Sequence, residues 1–174
     1  WYGSALAAAA AWCSLAVVEY LVKEAYADVN LLLKTGWYGS ALAAAASYSD
    51  LDVVKYLVEE AQADVDLLLK TGWYGSALAA AAAWCSLAVV KYLVEEAQAD
   101  VDLFPLDGTD RGTALAFAVE DGHMDIVQYL VEVGKADVNL QFRHRKFHSA
   151  LEVSLSREDQ SIAQYLISQG AVEK

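Results

Sequence analysis

The fourteen letters WYGSALAAAAAWCS form residues 1–14, and they return unchanged at residues 73–86. Residues 37–46 repeat the first ten of them, after which the chain changes to SYSD. Trp1, Trp37 and Trp73 therefore open three units with a period of 36 residues. Self-similarity at a fixed period of this length predicts stacked units, none of which closes a core alone.

The alanine run inside this stretch could be a signal sequence, a membrane segment or a helix. It recurs within the chain, and a weakly apolar run this short does not reach the about 20 residues that span a bilayer. Alanine has the highest helix propensity, so the run predicts a short inner helix that lets neighbouring layers approach closely. A hydroxyl residue precedes the run in every copy and is expected to cap the helix: Ser4, Ser40, Ser76, Thr113 and Ser149.

Apolar residues at helical spacing predict a second helix in each unit. Ser14, Asp50 and Ser86 are expected to cap it. The pair Lys55 and Glu59 is expected on its solvent face at the i,i+4 spacing. A tyrosine recurs at a core-facing position, where we expect a structural role: Tyr20, Tyr56, Tyr92, Tyr129 and Tyr165.

The period continues in diverged form to the end of the chain. Residues 112–139 match residues 39–66, and residues 148–174 form a shorter copy rich in serine and glutamine. We therefore expect one domain, 1–174, in which the last unit is a C-terminal cap. The predicted units are 1–36, 37–72, 73–109, 110–145 and 146–174.

These patterns resemble the ankyrin repeat. GTALAFA at 112–118, GHMDIVQYL at 122–130 and GKADVN at 134–139 match the family's separated motifs in order. The family's proline and histidine are replaced, for example by Ala5 and Ala7. The resemblance implies an all-α solenoid of five stacked helix-turn-helix units joined by long hairpin-like loops. The near-identical copies are similar to ankyrin arrays of fungal NOD-like receptors, which implies a fungal, intracellular scaffold.

The resemblance further implies a protein-protein interaction module whose partner binds an aromatic-rich concave groove. By position, the ends of the first helices and the loop tips would form it. The units diverge at the helix ends, which favours binding there, whereas the invariant loop pairs could instead pack against neighbouring loops. The helix-end candidates are Trp12, Tyr48, Trp84, Asp121 and Arg157, and the loop candidates are Trp37, Tyr38, Trp73 and Tyr74. The loop slots of the last units are charged or mixed, with Asp110, Arg111, Lys146 and Phe147.

Charge and cysteine usage narrow the class of partner and the compartment. The net charge of −12 argues against nucleic acid and against anionic membranes, which both select positive surfaces. Cys13 and Cys85 occupy equivalent places in units about 20 Å apart, too far for a disulfide. Free thiols favour a reducing, intracellular location, which we take as the cytoplasm.

Catalytic chemistry finds little support in the sequence. His144 and His148 lie four residues apart without a third ligand, and His123 matches the family's turn histidine. Neither cysteine has a paired histidine, so we expect no enzyme, no metal and no cofactor. The alternative function is self-assembly by end-to-end stacking, as a homo-oligomer or a longer array. It rests on the first unit, which lacks the polar residues of the fifth.

Overall fold

The computed structural model describes residues 2–105, 112–142 and 147–173. Several sequence-based expectations lie outside the described residues: Trp1, Asp110, Arg111, His144, Lys146 and the unit boundaries at 109/110 and 145/146.

Ten α-helices form five consecutive pairs in the described residues, which confirms the all-α solenoid. The first helices of the pairs are α1 (Ala5–Ala11), α3 (Ala41–Ser47), α5 (Ala77–Ala83), α7 (Ala114–Asp121) and α9 (Ala150–Ser156). The second helices are α2 (Leu15–Lys23), α4 (Leu51–Lys55, continued by a π-helical turn Tyr56–Glu60), α6 (Leu87–Glu95), α8 (Met124–Glu132) and α10 (Gln160–Ser168).

Hydroxyl caps begin every first helix, as predicted. The side chain of Ser76, for example, accepts a hydrogen bond of 3.1 Å from the amide of Ala79, and Ser4, Ser40, Thr113 and Ser149 do the same. The second helices differ: Asp50 caps α4, but the side chains of Ser14 and Ser86 make no capping bond. That part of the prediction was wrong for the serines, because a shorter hydroxyl side chain does not reach the amides in their backbone conformation.

The alanine helices stack in one layer, in the order α1, α3, α5, α7 and α9. The side chains of Ala43, Ala44, Ala45 and Ala46 are fully buried, as are their counterparts in α5. Small side chains allow helix axes to approach to about 8 Å, the short end of the usual range. The alanine run is therefore the contact surface between neighbouring units.

The recurring tyrosines join each second helix to the unit before it. The hydroxyl of Tyr92 donates to Glu59 over 3.0 Å, and the ammonium of Lys55 lies 5.7 Å from the centre of the same ring. Tyr129 repeats the arrangement with Glu95 and Lys91. Lys55 and Glu59 are exposed, as predicted, and they also contact Tyr92 of the next unit.

Tyr20 departs from this pattern. Its side chain is 62% exposed, whereas that of Tyr92 is 7% exposed. The helix that covers the other tyrosines belongs to the preceding unit, and Tyr20 lies in the first of the described units. The core-facing position expected for Tyr20 was therefore wrong.

Backbone hydrogen bonds hold the loops of the second and third units together along one edge. The amide of Trp73 donates to the carbonyl of Trp37 over 2.9 Å, and the amide of Leu69 donates to the carbonyl of Gly75 over 3.0 Å. Gly39 has a φ of +78°, and an added Cβ would lie 2.6 Å from the carbonyl oxygen of Thr71. Gly3, after the Tyr of the first unit, has a φ of +80° and a similar close contact, so glycine is needed at both positions for adjacent loops to lie this close.

Aspartate and asparagine side chains form further hydrogen bonds with the backbone of the following unit. Asn30 accepts from the amide of Asp64, and Asp66 accepts from that of Asp100, over 2.7 and 2.9 Å. The last residue of each Asp-Val-Asn or Asp-Val-Asp triplet thereby fixes the register of the following unit.

We predict that Ser76→Ala lowers the free energy of unfolding by about 1 kcal/mol, because the amide of Ala79 loses its partner. Urea unfolding followed by circular dichroism measures the change. Ser86→Ala is the matched control, since Ser86 caps nothing, and its midpoint should move less. Equal losses for the two variants would contradict the capping role.

We also predict a loss of stability at alkaline pH. Burial, and then the hydrogen bond to a carboxylate, raise the pKa of Tyr92 and that of Tyr165 to about 12. An unfolded tyrosine has a pKa near 10, so between pH 10 and 12 the unfolded chain releases protons that the folded chain retains. The contribution of these two tyrosines to the free energy of unfolding should therefore be constant below pH 10 and fall above it.

Urea midpoints measured from pH 8 to 11.5 test this expectation. Tyr92→Phe should make the decline less steep, whereas Tyr26→Phe, at a fully solvated ring, should leave it unchanged. An unchanged slope in Tyr92→Phe would show that these tyrosines do not couple folding to pH.

Candidate functional site

A cavity of about 380 Å³ lies where the second, third and fourth units meet. We call it the aromatic pocket. Its wall combines loop aromatics of two units with the ends of α5 and α7: Trp37, Tyr38, Trp73, Tyr74, Ala83, Trp84, Phe117, Glu120 and Asp121.

The two aromatic residues of each loop tip have different environments. In the third unit, Trp73 is 58% exposed and Tyr74 is 9% exposed. Trp37 and Tyr38 divide in the same way. Successive side chains of an extended segment point to opposite sides, so one ring faces solvent while the next faces the core. The tyrosines therefore form the floor of the pocket and the tryptophans form its rim.

Each loop tyrosine holds the aromatic residue at the end of its own first helix. The indole Nε1 of Trp84 donates to the hydroxyl of Tyr74. The hydroxyl of Tyr38 donates to that of Tyr48 over 3.1 Å. In the first unit Tyr2 contacts Trp12, with ring centroids 6.4 Å apart. The spacing of ten residues brings loop and helix end together in all three units.

The rings continue from one unit to the next. Tyr2 stacks on Tyr38 with centroids 6.1 Å apart and planes 14° from parallel. Tyr74 meets the edge of Phe117 in the fourth unit at 5.3 Å. The loop tyrosines of the first and second units are thus in contact, and the loop tyrosine of the third unit contacts the fourth.

Phe117 was missed by the reading of the sequence. It occupies the α7 position at which the first three units have Ala8, Ala44 and Ala80. A large ring at this point closes the pocket towards the fourth unit, where alanine would leave it open. In the sequence, Phe117 is visible as an aromatic residue that interrupts the alanine run. Its role follows only from its packing against Tyr74.

Glu120 and Asp121 give the pocket an acidic end. Burial raises the pKa of the Tyr74 hydroxyl, and the negative charges of Asp121 and Glu120 raise it further, while the hydrogen bond from Trp84 lowers it. The charges act on Tyr74 because both carboxylates lie on the same wall of the pocket.

The structure places the predicted residues in three groups. Six of them line the aromatic pocket: Trp37, Tyr38, Trp73, Tyr74, Trp84 and Asp121. Tyr48 contacts the pocket residue Tyr38, and Trp12 contacts Tyr2, which stacks on Tyr38. Arg157 lies apart, exposed at the end of α9, and does not line the pocket. Their binding roles stay predictions.

The histidine and cysteine residues considered above do not line the aromatic pocket. The Nε2 of His123 lies 3.1 Å from the carbonyl oxygen of Ala83 in the preceding unit. Cys13 and Cys85 are unpaired and exposed. Among the described residues, no group of His, Cys, Asp or Glu side chains could hold a metal ion. No helix in that part of the chain has the length and apolarity to cross a bilayer.

The helix pairs, the looped edge and the repeated Asp-Val triplets agree with a family comparison. A family model of ankyrin repeats, in three copies, matches residues 6–105 and 102–173. The chain belongs to the ankyrin-repeat family. A search of curated proteins finds no match. Ankyrin repeats are protein-protein interaction modules, typically without enzymatic activity, and membership indicates a protein partner.

We predict that Tyr74→Ala lowers the free energy of unfolding by about 3 kcal/mol or more, because it empties a buried site. Trp73→Ala, at the adjacent exposed ring, should cost less than about 1 kcal/mol. Urea unfolding of the two variants measures the difference. Comparable losses would show that the tryptophan belongs to the core and not to the rim.

Proposed function

We propose that this ankyrin-repeat protein binds a protein partner through the aromatic pocket and the adjoining helix-end rings. One observation carries the proposal: Trp12, Trp37, Trp73 and Trp84 expose large rings on the side of the solenoid that the loops occupy. Scattered exposed apolar residues are ordinary, but a contiguous aromatic patch marks an interaction site.

The way these rings are held supports binding. Trp84 and Tyr48 are hydrogen-bonded to buried tyrosines, so little rotamer freedom remains to be lost when a partner binds. Tryptophan and tyrosine dominate interface hot spots because they supply a large contact area from few rotatable bonds. A rigid aromatic surface with solvent-facing rims fits a protein ligand better than a small substrate.

The net charge and the free thiols support the class of partner and the compartment that we propose. The net charge of −12 disfavours nucleic acid and anionic membranes as partners. The exposed, unpaired Cys13 and Cys85 are compatible with an intracellular scaffold in a reducing compartment. The function needs neither a cofactor nor a metal.

We predict that the double variant Trp12→Ala and Trp84→Ala loses at least about tenfold in affinity for the partner, because both anchors are removed. The partner is first isolated with the 174-residue chain as bait, and its affinity for each variant is then measured by calorimetry. The melting temperature should change little, since both rings are largely solvated.

Tyr26→Ala is the matched control, because Tyr26 is an exposed aromatic residue in the loop after α2 and outside the pocket. Its affinity should equal that of the unmodified chain. Retained binding by the double variant, or a loss in Tyr26→Ala of the same size, would overturn the proposal.

A second function, self-association, is favoured by a different surface. The N-terminal face is the side of the first unit that carries Ala5, Ala8, Val17, Tyr20 and Leu21. Val17 is 45% exposed, whereas its counterpart Val89, in the same sequence of the third unit, is 0% exposed. The internal copies of this face are covered by the preceding unit, so the same residues are built to meet another repeat.

We propose that a second copy covers the N-terminal face by its own N-terminal face. A head-to-tail stack would place Tyr20 against α10, where Gln164 and Ser168 replace the lysine and glutamate that receive the internal tyrosines. A two-fold contact between identical apolar faces instead buries both and closes after two copies.

We therefore expect the 174-residue chain to be a dimer in light scattering coupled to size exclusion. Val17→Lys should give a monomer, because it places a charge in the contact. Ile167→Lys is the control: it puts the same charge at an exposed apolar site in the last unit and should leave the dimer intact. A monomeric unmodified chain at high concentration would refute self-association and leave partner binding untouched.

A further inference from the structure

We infer that the aromatic pocket receives a proline-rich segment of the partner, bound in the polyproline II conformation. The inference rests on the proposed function and names the chemistry of its ligand. It is drawn from two hydrogen-bond donors on the pocket wall, from the aromatic rings around them and from the charge of the chain.

The hydroxyl of Tyr74 is a buried donor for which the fold supplies no acceptor. An indole N–H can only donate, so Tyr74 is the acceptor in its hydrogen bond with Trp84. Among the described residues, Trp84 is the only hydrogen-bond partner of the Tyr74 side chain. Tyr74 is 9% exposed and lines the pocket. Because a buried donor without an acceptor is costly, we expect a ligand in the pocket to accept the proton of this hydroxyl.

Trp73 adds a second donor at the rim of the pocket. Its ring is 58% exposed and lines the same cavity. In the described part of the chain, its indole N–H donates to no acceptor. Trp73 and Tyr74 are consecutive residues of one loop tip, so a ligand that enters the pocket meets one donor at the rim and another at the floor. Carbonyl groups suit these positions, whereas N–H groups do not.

A proline-rich segment matches this combination of donors and rings. Proline has a carbonyl acceptor and no backbone N–H, so it satisfies donors without bringing its own amide into apolar surroundings. Aromatic-lined grooves are a recurring docking surface for such segments, whose rings pack against aromatic side chains. Besides Trp73 and Tyr74, the wall offers the rings of Tyr38, Trp84 and Phe117.

The size of the pocket and the charge of the chain agree with this ligand. A volume of about 380 Å³ lies at the lower end of the range for small-molecule sites, so the pocket suits a few residues of an extended segment and not a whole helix. The polyproline II conformation forms before binding, so little conformational entropy is lost. The net charge of −12 disfavours an acidic segment, whereas a run of prolines is uncharged.

Short uncharged peptides, added to the ¹⁵N-labelled chain, test the inference. An oligoproline of about eight residues is compared with a glycine-serine peptide and with an amphipathic leucine-glutamine peptide of equal length. We expect the oligoproline to shift the indole resonances of Trp73 and Trp84 and to bind at least about fivefold more tightly than the other two peptides. Tighter binding of the leucine-glutamine peptide would identify a helix as the occupant and overturn the inference. So would the absence of a shift with the oligoproline, or equal shifts with the glycine-serine peptide.

Two variants each keep an aromatic ring and remove one donor. Trp73→Phe and Tyr74→Phe should weaken the oligoproline by at least about threefold, because each removes a hydrogen bond to a proline carbonyl. Trp73→Phe changes an exposed ring, so its fold should be retained, and urea unfolding checks the fold of both variants. Tyr26→Phe removes a hydroxyl from an exposed ring outside the pocket and is the matched control, which should bind as the unmodified chain does. Full binding by Trp73→Phe would overturn the inference.

The failure of this inference can be told from the failure of the proposed function. A partner that lacks a proline-rich segment, and still loses affinity when Trp12 and Trp84 are replaced by alanine, would overturn the proline ligand and leave the proposed function intact. A partner that ignores both tryptophans would overturn the proposed function itself.

Discussion

The close approach of the alanine helices sets the geometry on which the rest of the molecule depends. Ala43 and its neighbours are fully buried between α1 and α5, so nothing larger separates the layers. A fixed, short translation between units follows, and every other contact between units has to match it. The backbone hydrogen bond between Trp73 and Trp37 fits this translation. The hydrogen bonds between a tyrosine and a glutamate of the preceding unit, such as Tyr92 with Glu59, fit it too.

The aromatic pocket is a consequence of that regular stacking and of its interruption. Where alanine continues, each loop tyrosine contacts the aromatic residue at the end of its own first helix. Where Phe117 replaces alanine, its ring edge meets Tyr74 and the surface closes into a cavity. The acidic pair at the end of α7 then changes the character of the surface from aromatic to charged. A scaffold built from copies thus forms a cavity at the boundary between near-identical and diverged units.

Much of the fold could be predicted from the sequence because the signals are local and repeated. The first helix of each unit begins where a hydroxyl residue precedes a run of good helix formers. All five hydroxyl side chains cap their helices, as predicted. The positions at which near-identical units differ include Trp84 and Asp121, which line the aromatic pocket, and their binding role stays a prediction. Sequence reasoning failed where the environment of a residue depends on a neighbouring unit. It missed the exposure of Tyr20, the contacts of Lys55 and Glu59 with Tyr92, and the packing of Phe117 against Tyr74. The serine caps failed for a subtler reason, because a side chain must also reach the amide.

The sequence by itself determined the period, the helices, the ankyrin architecture and the acidic character of this protein. These properties follow from spacing, propensity and charge, which are fixed within each unit. Only the tertiary structure decided that the Trp-Tyr pairs divide, with Trp73 at the surface and Tyr74 beneath it. It also decided that loop aromatics of two units and the carboxylates of a third share one cavity. The physical reason is that burial and proximity between units arise from stacking, and no single unit contains the surface against which it is packed.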